Sequence, residues 1–542
     1  MGHLFFYLAV IAACLLWSAA FTAAAARTRP GWIRWILIAV AVTVPVLAAA
    51  PWVLVTARLA FGARLETNWF APTLTAAIAA AIGGVWISRA GLAPRAAPAA
   101  AAWPLVGLAA MCVLANAVAA GTLLLIDNAV MAEVRAARTE AVAVMQSVVP
   151  PVLPADEDAA PLYRQAFERI EIDKGLTAEQ SPLKAAAAAD VSTDEVTALL
   201  ARHATTLDLL RRAAAKPGCR FARDWARPSM GMLLPELASM RHAARLLALA
   251  ARREATSGDV SAALADVVRL HRMAIHVAAE PILISGLVET AVDSIALETL
   301  AVILPLITAK DAAALADPAL GDFVRSQPSF ERHALGEEAF GLATFADLAE
   351  AKVRLHDLGM SPDPVGFAIS VASILYRCFL LPSDLAAYTG AMSRWRAQAA
   401  RPAMPDERSA EVARRPAPIG SELTTNRQGL LTSLLTPALG AILKTQAKSL
   451  AKHRAAEVLL AATRARLKSG EQPGSAESLV PEWLLAVPAD PFRDEGSLTV
   501  KTSADGWLVY SVGPDGEDDG GPGPAGAAAV EGNDDVGLRL AR

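Results

Sequence analysis

Long apolar runs open the chain and give way, after about Ile126, to apolar residues recurring every three or four positions. The runs at 4–26, 36–57, 70–87 and 104–126 are each long enough for a helix across roughly 30 Å of hydrocarbon, which takes about 20 residues. Trp32, Trp35, Trp52, Trp69, Trp86 and Trp103 fall at or near the run ends, where an interfacial aromatic belt belongs. The pattern predicts four transmembrane helices within residues 1–128. No Lys or Arg precedes Leu4, so the first run reads as a retained helix rather than a cleaved signal peptide.

Two later apolar runs read differently. Residues 281–304 carry Glu289, Asp293 and Glu298. Each acid would cost about 2.5–3.5 kcal/mol at a bilayer centre, so this run predicts a core helix instead. Residues 365–381 are interrupted by Arg377, which suits a buried or membrane-resting helix better than a span.

The region 129–420 reads as a helical domain. Val149-Pro-Pro-Val-Leu-Pro154 predicts a stiff, extended spacer. Asp158 is placed to cap a helix starting at about Ala159, with Tyr163 and Phe167 on one face. Further helices are expected at 193–215, 234–256, 260–278 and 282–304. Around Ser257-Gly258-Asp259, Leu246, Leu247 and Leu249 precede the turn, and Ala262, Ala263, Leu264 and Ala274 follow it. Small residues there let two antiparallel helices approach closely. The unit is similar to a tetratricopeptide hairpin, but no 34-residue period accompanies it, so a generic helical hairpin stands beside that reading. Residues 394–419 lack periodicity and predict a flexible linker.

Charge sets the orientation. The first and third loops of the membrane region hold Arg27, Arg29, Arg34, Arg89 and Arg95, against Arg58 and Arg64 in the second loop and none at the amino terminus. The arginine-rich side is cytoplasmic. The amino terminus and everything after about residue 128 are therefore expected outside the cytoplasm, on a multi-pass protein of the inner (cytoplasmic) membrane. A net charge of −4 argues against a nucleic-acid partner, which would need a basic face.

Catalytic signatures are absent: no HExxH, GxSxG, phosphate-binding loop or dinucleotide fingerprint occurs. His333 and Glu337, four apart, have the spacing of two metal ligands on one helix face, or of an ordinary polar face. His3, His203, His242, His356 and His453 stand alone, and His271 and His276, five apart, cannot share a face. Cys14, Cys112, Cys219 and Cys378 have no zinc spacing; they read as buried thiols, with a Cys219–Cys378 disulfide open to an extracytoplasmic domain.

The last part, 421–542, changes character. A long helix is expected at 430–468, then a short helical turn at 475–480 and strands at 497–502 and 507–512 joined by a hairpin. The acidic, glycine-rich loop 513–521 follows, with Asp534 and Asp535 returning later. Such a loop is either a solvated acidic tail or a source of oxygens for a hard cation.

Four motifs, Leu479-Val-Pro481, Asp490-Pro-Phe492, Tyr510-Ser-Val-Gly-Pro-Asp-Gly516 and Asp534-Asp-Val-Gly537, resemble the globular domain of the major pseudopilins of type II secretion systems. The resemblance implies a small α+β domain whose loop binds calcium, with Asp515 and Asp535 as ligands and Asp518 or Asp519 between them. Pseudopilins begin at a processed Gly-Phe-Thr-Leu-x-Glu helix that packs a filament. Here the corresponding helix is internal and lacks that motif, which implies an accessory module rather than a filament subunit. The whole arrangement also resembles large membrane proteins of planctomycete-type bacteria, a resemblance that carries no activity.

The expected architecture is therefore mainly α: a four-helix transmembrane region (1–128), a helical extracytoplasmic domain (129–420) and a small α+β pseudopilin-like domain (421–542). The expected function is a non-catalytic, membrane-anchored scaffold for an envelope protein partner, stabilised by calcium. The alternatives are a membrane-bound hydrolase with a site near His333 and Glu337, or a sensor or transporter component. Against transport, the spans hold no acid or base for an ion path.

Overall fold

The structure, a computed structural model, describes residues 102–173, 193–228, 232, 234–326, 329–350, 380–399, 429–436, 439–493, 495–503, 506–523 and 533–541. The first three expected spans, the run 365–379, Cys14, Cys378 and the linker from 400 onward lie outside the described residues. The fourth span falls in helix α1 (Ala102–Val148), whose side chains are described from Leu125. Among the described residues no helix is long and apolar enough to cross a membrane.

The chain divides into two compact units, Met1–Arg135 with Leu355–Ser383, and Ala136–Arg354 with Asp384–Arg542. The second unit is mainly helical with one small sheet. Its helices are α2 (Ala160–Ile172), α3 (Asp194–Arg202), α4 (Ala204–Ala214), α5 (Glu236–Thr256), α6 (Val260–Ala278), α7 (Leu283–Ile303), α8 (Ala312–Leu315), α9 (Pro318–Val324), α10 (Glu331–Ala349), α11 (Leu381–Ala399), α12 (Leu430–Leu435) and α13 (Leu439–Ser469). Strands β1 (Thr499–Ser503), β2 (Gly506–Ser511) and β3 (Val536–Ala541) form an antiparallel sheet in that order.

Local chemistry explains most boundaries. Asp158 holds the start of α2 by accepting from the Ala160 amide at 3.0 Å, and also accepts from Arg220 N at 2.9 Å. Tyr163 and Phe167 then stack at 5.8 Å on one buried face. The turn between α5 and α6 ends the first helix with Gly258 at φ +94°, and Asp259 N reaches back to Glu254 O at 2.9 Å. This is the glycine stop that closes a helix C-terminus. Asp259 then caps α6, accepting from Ala262 N at 3.1 Å. Ala243, Ala244, Ala250, Ala251 and Ala255 on α5 and Ala263 and Ala274 on α6 are all buried, as the close pairing requires.

The structure departs from the sequence reading at four places. The helix expected at 193–215 is broken at His203, whose φ of −100° leaves the helical region and whose ring pairs with Asp173 at 3.1 Å. The helix expected at 430–468 is interrupted after Thr436, where Pro437 cannot supply an amide to a continuing helix. The first residues of the expected linker, 394–399, instead complete α11, whose Trp395 ring is buried and donates to Leu439 O at 3.2 Å. A third strand, β3, completes the sheet.

Helix α13 explains why 421–542 shares a compact unit with 136–354. Its buried positions include consecutive Ala455, Ala456 and the run Val458–Thr463, so its middle turns are covered nearly all round like a core helix, while its ends carry exposed residues such as Lys444 and Lys468. It packs against α7 and α9 on one side and β2 and β3 on another. Lys452 Nζ reaches Glu298 at 2.6 Å, and Arg464 donates to Leu315 O at 2.8 Å. The central strand β2 is buried at every position.

Candidate functional site

The acidic loop leaves the end of β2, which is anchored from below. Buried Asp490 accepts from Ser511 Oγ at 2.5 Å, Phe492 N at 2.9 Å and Val512 N at 3.1 Å, tying the Asp-Pro-Phe turn to the strand. The chain then turns at Gly513 (φ +71°), where a side chain would also meet Asp534 O, and again at Gly521 (φ +101°), where one would strike Leu508. The loop is thereby folded back so that 518–521 lies against 533–535.

The four acids expected to share a site fare differently. Asp515 is exposed at the tip, and its Oδ1 accepts from Glu517 N at 3.1 Å in a local turn. Asp518 Oδ1 accepts from Tyr510 Oη at 2.7 Å and Gly520 N at 3.0 Å. The tyrosine bond, above all, holds this carboxyl below its ordinary value. Asp519 Oδ2 accepts from Asp534 N at 3.2 Å. Asp535 is only 7% exposed; its Oδ2 accepts from Gly521 N at 2.6 Å, and its Oδ1 is buried with no hydrogen-bond partner. Burial raises the Asp535 carboxyl, and the charges of Asp518 and Asp519 push it further the same way. The bonds of Asp519 to Asp534 N and of Asp535 to Gly521 N hold 518–521 against 533–535, while Asp515 bonds within its own turn. Among the described residues, no three His, Cys, Asp or Glu side chains converge closely enough to hold a metal ion as they stand.

His333 and Glu337 both lie on the buried side of α10. The His333 ring packs against Phe330 at 5.6 Å and over Gly286 of α7, and neither ring nitrogen makes a hydrogen bond. Burial, helped by Arg332, lowers this imidazole to about 4, so it is neutral. Glu337 Oε2 accepts from Leu283 N at 3.3 Å, at the first turn of α7, where a helix N-terminus favours negative charge. The pair joins α10 to α7. A surface cleft of about 530 Å³, lined by Ile307, Thr308, Ala309, Arg466, Leu467, Gly470 and Gln472, contains neither.

No family model, curated protein or solved structure matches this chain. The assignment of roles therefore rests on the geometry.

One constellation escaped the sequence reading. Asp293 on α7 lies between His271 of α6, whose Nδ1 is 2.8 Å from Oδ1, and His453 of α13, whose Nε2 is 3.4 Å from Oδ2. His453 Nδ1 faces Phe323 O at 3.1 Å, an acceptor only, so that nitrogen carries a proton. The Phe323 ring sits 4.7 Å from the His271 ring and 5.6 Å from the His453 ring. Burial acts to raise the Asp293 carboxyl, but the hydrogen bond from His271 and the nearby His271 and His453 rings outweigh it and hold the group below its ordinary value. Four residues earlier on α7, Glu289 has a buried oxygen with no partner; burial and then the Asp293 charge push it up to about 8. Asp293 and His453 are buried in the core, their side chains 3% and 1% exposed, while His271 and Glu289 are partly buried at its edge. They act as a polar clamp across α6, α7 and α13 rather than as a site open to substrate. The one legible signal was Asp293 itself, since an acid in an apolar helix must find a partner.

Proposed function

We propose that this chain is a non-catalytic, multi-pass protein of the inner membrane, presenting outside the cytoplasm a helical scaffold whose pseudopilin-like end is closed by calcium. The bilayer is its first partner, through the four apolar runs at 4–26, 36–57, 70–87 and 104–126 with tryptophans at their ends. An envelope protein is the second, held by the helical part of the scaffold. The observation that carries the calcium reading is the bare, buried Oδ1 of Asp535 beside two further carboxylates.

A divalent cation supplies the charge that such a cluster lacks. Asp518, Asp519 and Asp535 do not yet converge and would have to close onto it, with carbonyls of the glycine-rich loop completing the oxygens a hard cation takes. Asp515 is not needed for this set. Neutralising the three carboxylates would pin 518–521 to 533–535 and so fix the start of β3 against β2.

A site of the extracellular class, with a dissociation constant of about 10⁻⁴ M, would at roughly 1 mM calcium add about 1.4 kcal/mol of stability. The test uses the full chain in detergent, melted with calcium and with chelator. Calcium should raise the midpoint of the wild type and leave that of Asp535→Asn unmoved. Equal wild-type midpoints in both conditions would remove calcium from the reading.

A further inference from the structure

We infer that the cleft between the turn that follows α7 and the end of α13 receives the carboxyl end of a peptide whose last side chain is apolar. So far as that peptide belongs to a partner, the inference rests on the scaffold reading above; it does not depend on calcium.

The cleft measures about 530 Å³, within the range of about 300–1,000 Å³ usual for ligand pockets. One wall is the turn 307–309, and the other is the last turn of α13 with Gly470 and Gln472 beyond it. Buried Ile307 and half-buried Leu467 supply an apolar lining, and Leu306, next to Ile307 in the chain, is 42% exposed. Arg466 brings the charge. Its Nη2 donates to Leu304 O at 3.4 Å and Ile307 O at 3.2 Å, both main-chain oxygens, and it pairs with no carboxylate among the described residues. None of the side chains lining the cleft is acidic. Asp311, the acid of this turn, is buried and accepts from Thr308 N at 3.0 Å and Thr308 Oγ1 at 2.8 Å. Gln472 adds an amide whose Nε2 is buried with no hydrogen-bond partner. A donor left bare in this way marks where an acceptor is missing. An uncompensated guanidinium, a bare amide donor and an apolar lining together select an acceptor-only anion carried on a short apolar group. A terminal carboxylate following a leucine, isoleucine or valine side chain has that chemistry. Gly470 ends α13 by donating to Arg466 O at 2.8 Å, and the space where its side chain would begin is open, which leaves room for the incoming main chain.

Calorimetric titration of the full chain in detergent with the peptide acetyl-Ala-Ala-Leu tests this, with its C-terminal amide and with hexanoate as comparison ligands. The free acid should bind about tenfold more tightly than the amide, which offers no charge to Arg466. Gln472→Glu keeps the shape, removes the donor and sets a negative charge beside the ligand, so it should weaken the free acid by about tenfold or more. Gln472→Ala removes the donor alone and should weaken it by about threefold. Equal binding of acid and amide overturns the carboxylate argument. Wild-type affinity in Gln472→Glu places the ligand elsewhere and overturns the inference. Tighter binding of hexanoate than of the peptide means a lipid-like acid rather than a chain end, and overturns it likewise. No binding by the wild type also overturns it, and leaves the partner to other surfaces of the scaffold.

Discussion

Asp293→Ala is expected to lower the stability of the protein by about 3–5 kcal/mol, the cost of removing one partner from a buried charged group. The carboxylate accepts from His271 at 2.8 Å and faces His453 Nε2 at 3.4 Å, with its side chain 3% exposed. Without it, two imidazoles in the core lose the only carboxylate between them, and a small void opens where α6, α7 and α13 meet. Asp293→Asn keeps an acceptor oxygen and the volume while losing the charge, so its cost should be smaller, about 1–2 kcal/mol. Chemical denaturation of the detergent-solubilised chain, followed by tryptophan fluorescence, reads both. A loss below about 1 kcal/mol for the alanine variant would mean that the clamp contributes nothing beyond its packing.

Stability should also fall as pH rises from 6.5 to 8. Glu289 is pushed up to about 8 in the folded protein, mainly by burial. In the unfolded chain a glutamate titrates near 4.3. The folded state therefore holds a proton that the unfolded state releases. The contribution is complete below about pH 4.3 and is lost as pH climbs through the folded value. Over this window the loss amounts to about 1.6 kcal/mol from Glu289 alone. Glu280 and Glu337, both raised by burial, act in the same direction. His276 and His333, each lowered to about 4 by burial, oppose this trend weakly, by about 0.4 kcal/mol apiece, because an unfolded histidine is still half protonated at pH 6.5. They act mainly in acid, where the unfolded chain takes up protons that the folded core refuses. Glu289→Gln should flatten the alkaline limb and spare the acid one. Denaturant midpoints of wild type and variant across the range decide it, and parallel slopes would exclude Glu289 as the source.

How much of this was legible varies with the range of the forces involved. Helix α6 was readable to the residue, because its start is fixed by the Asp259 side chain and its buried face by local spacing. The turn at Gly258 was readable for the same reason: a left-handed glycine and a capping acid act over five residues. Strand β3 carried a signal that went unused, since Val536, Leu538 and Leu540 alternate with Gly537 and Arg539. The clamp was not readable, because His271, Asp293 and His453 lie on three helices and meet only after those helices pack. Of the acidic loop, composition gave the cluster but not its membership. Whether Asp515 turns inward or onto its own Glu517 amide depends on the glycine conformations at the loop's ends.

The burial of the middle of α13 has a kinetic side as well. Its polar contacts reach far back along the chain, as from Lys452 to Glu298, 154 residues away. Bringing such distant points together costs about 4 kcal/mol of chain entropy before any contact repays it. Helices α5 and α6 need no such closure, since a single glycine turn joins them. The order of assembly follows: the α5–α6 hairpin forms early, and α13 docks late into a groove that α7 and α9 have left open. Until then those helices expose the apolar surface α13 will cover, and this interval is when a newly made chain is most prone to aggregate. Pulse-labelled hydrogen exchange during refolding should show α6 amides protected before those of α13; simultaneous protection would mean that the unit forms in one step.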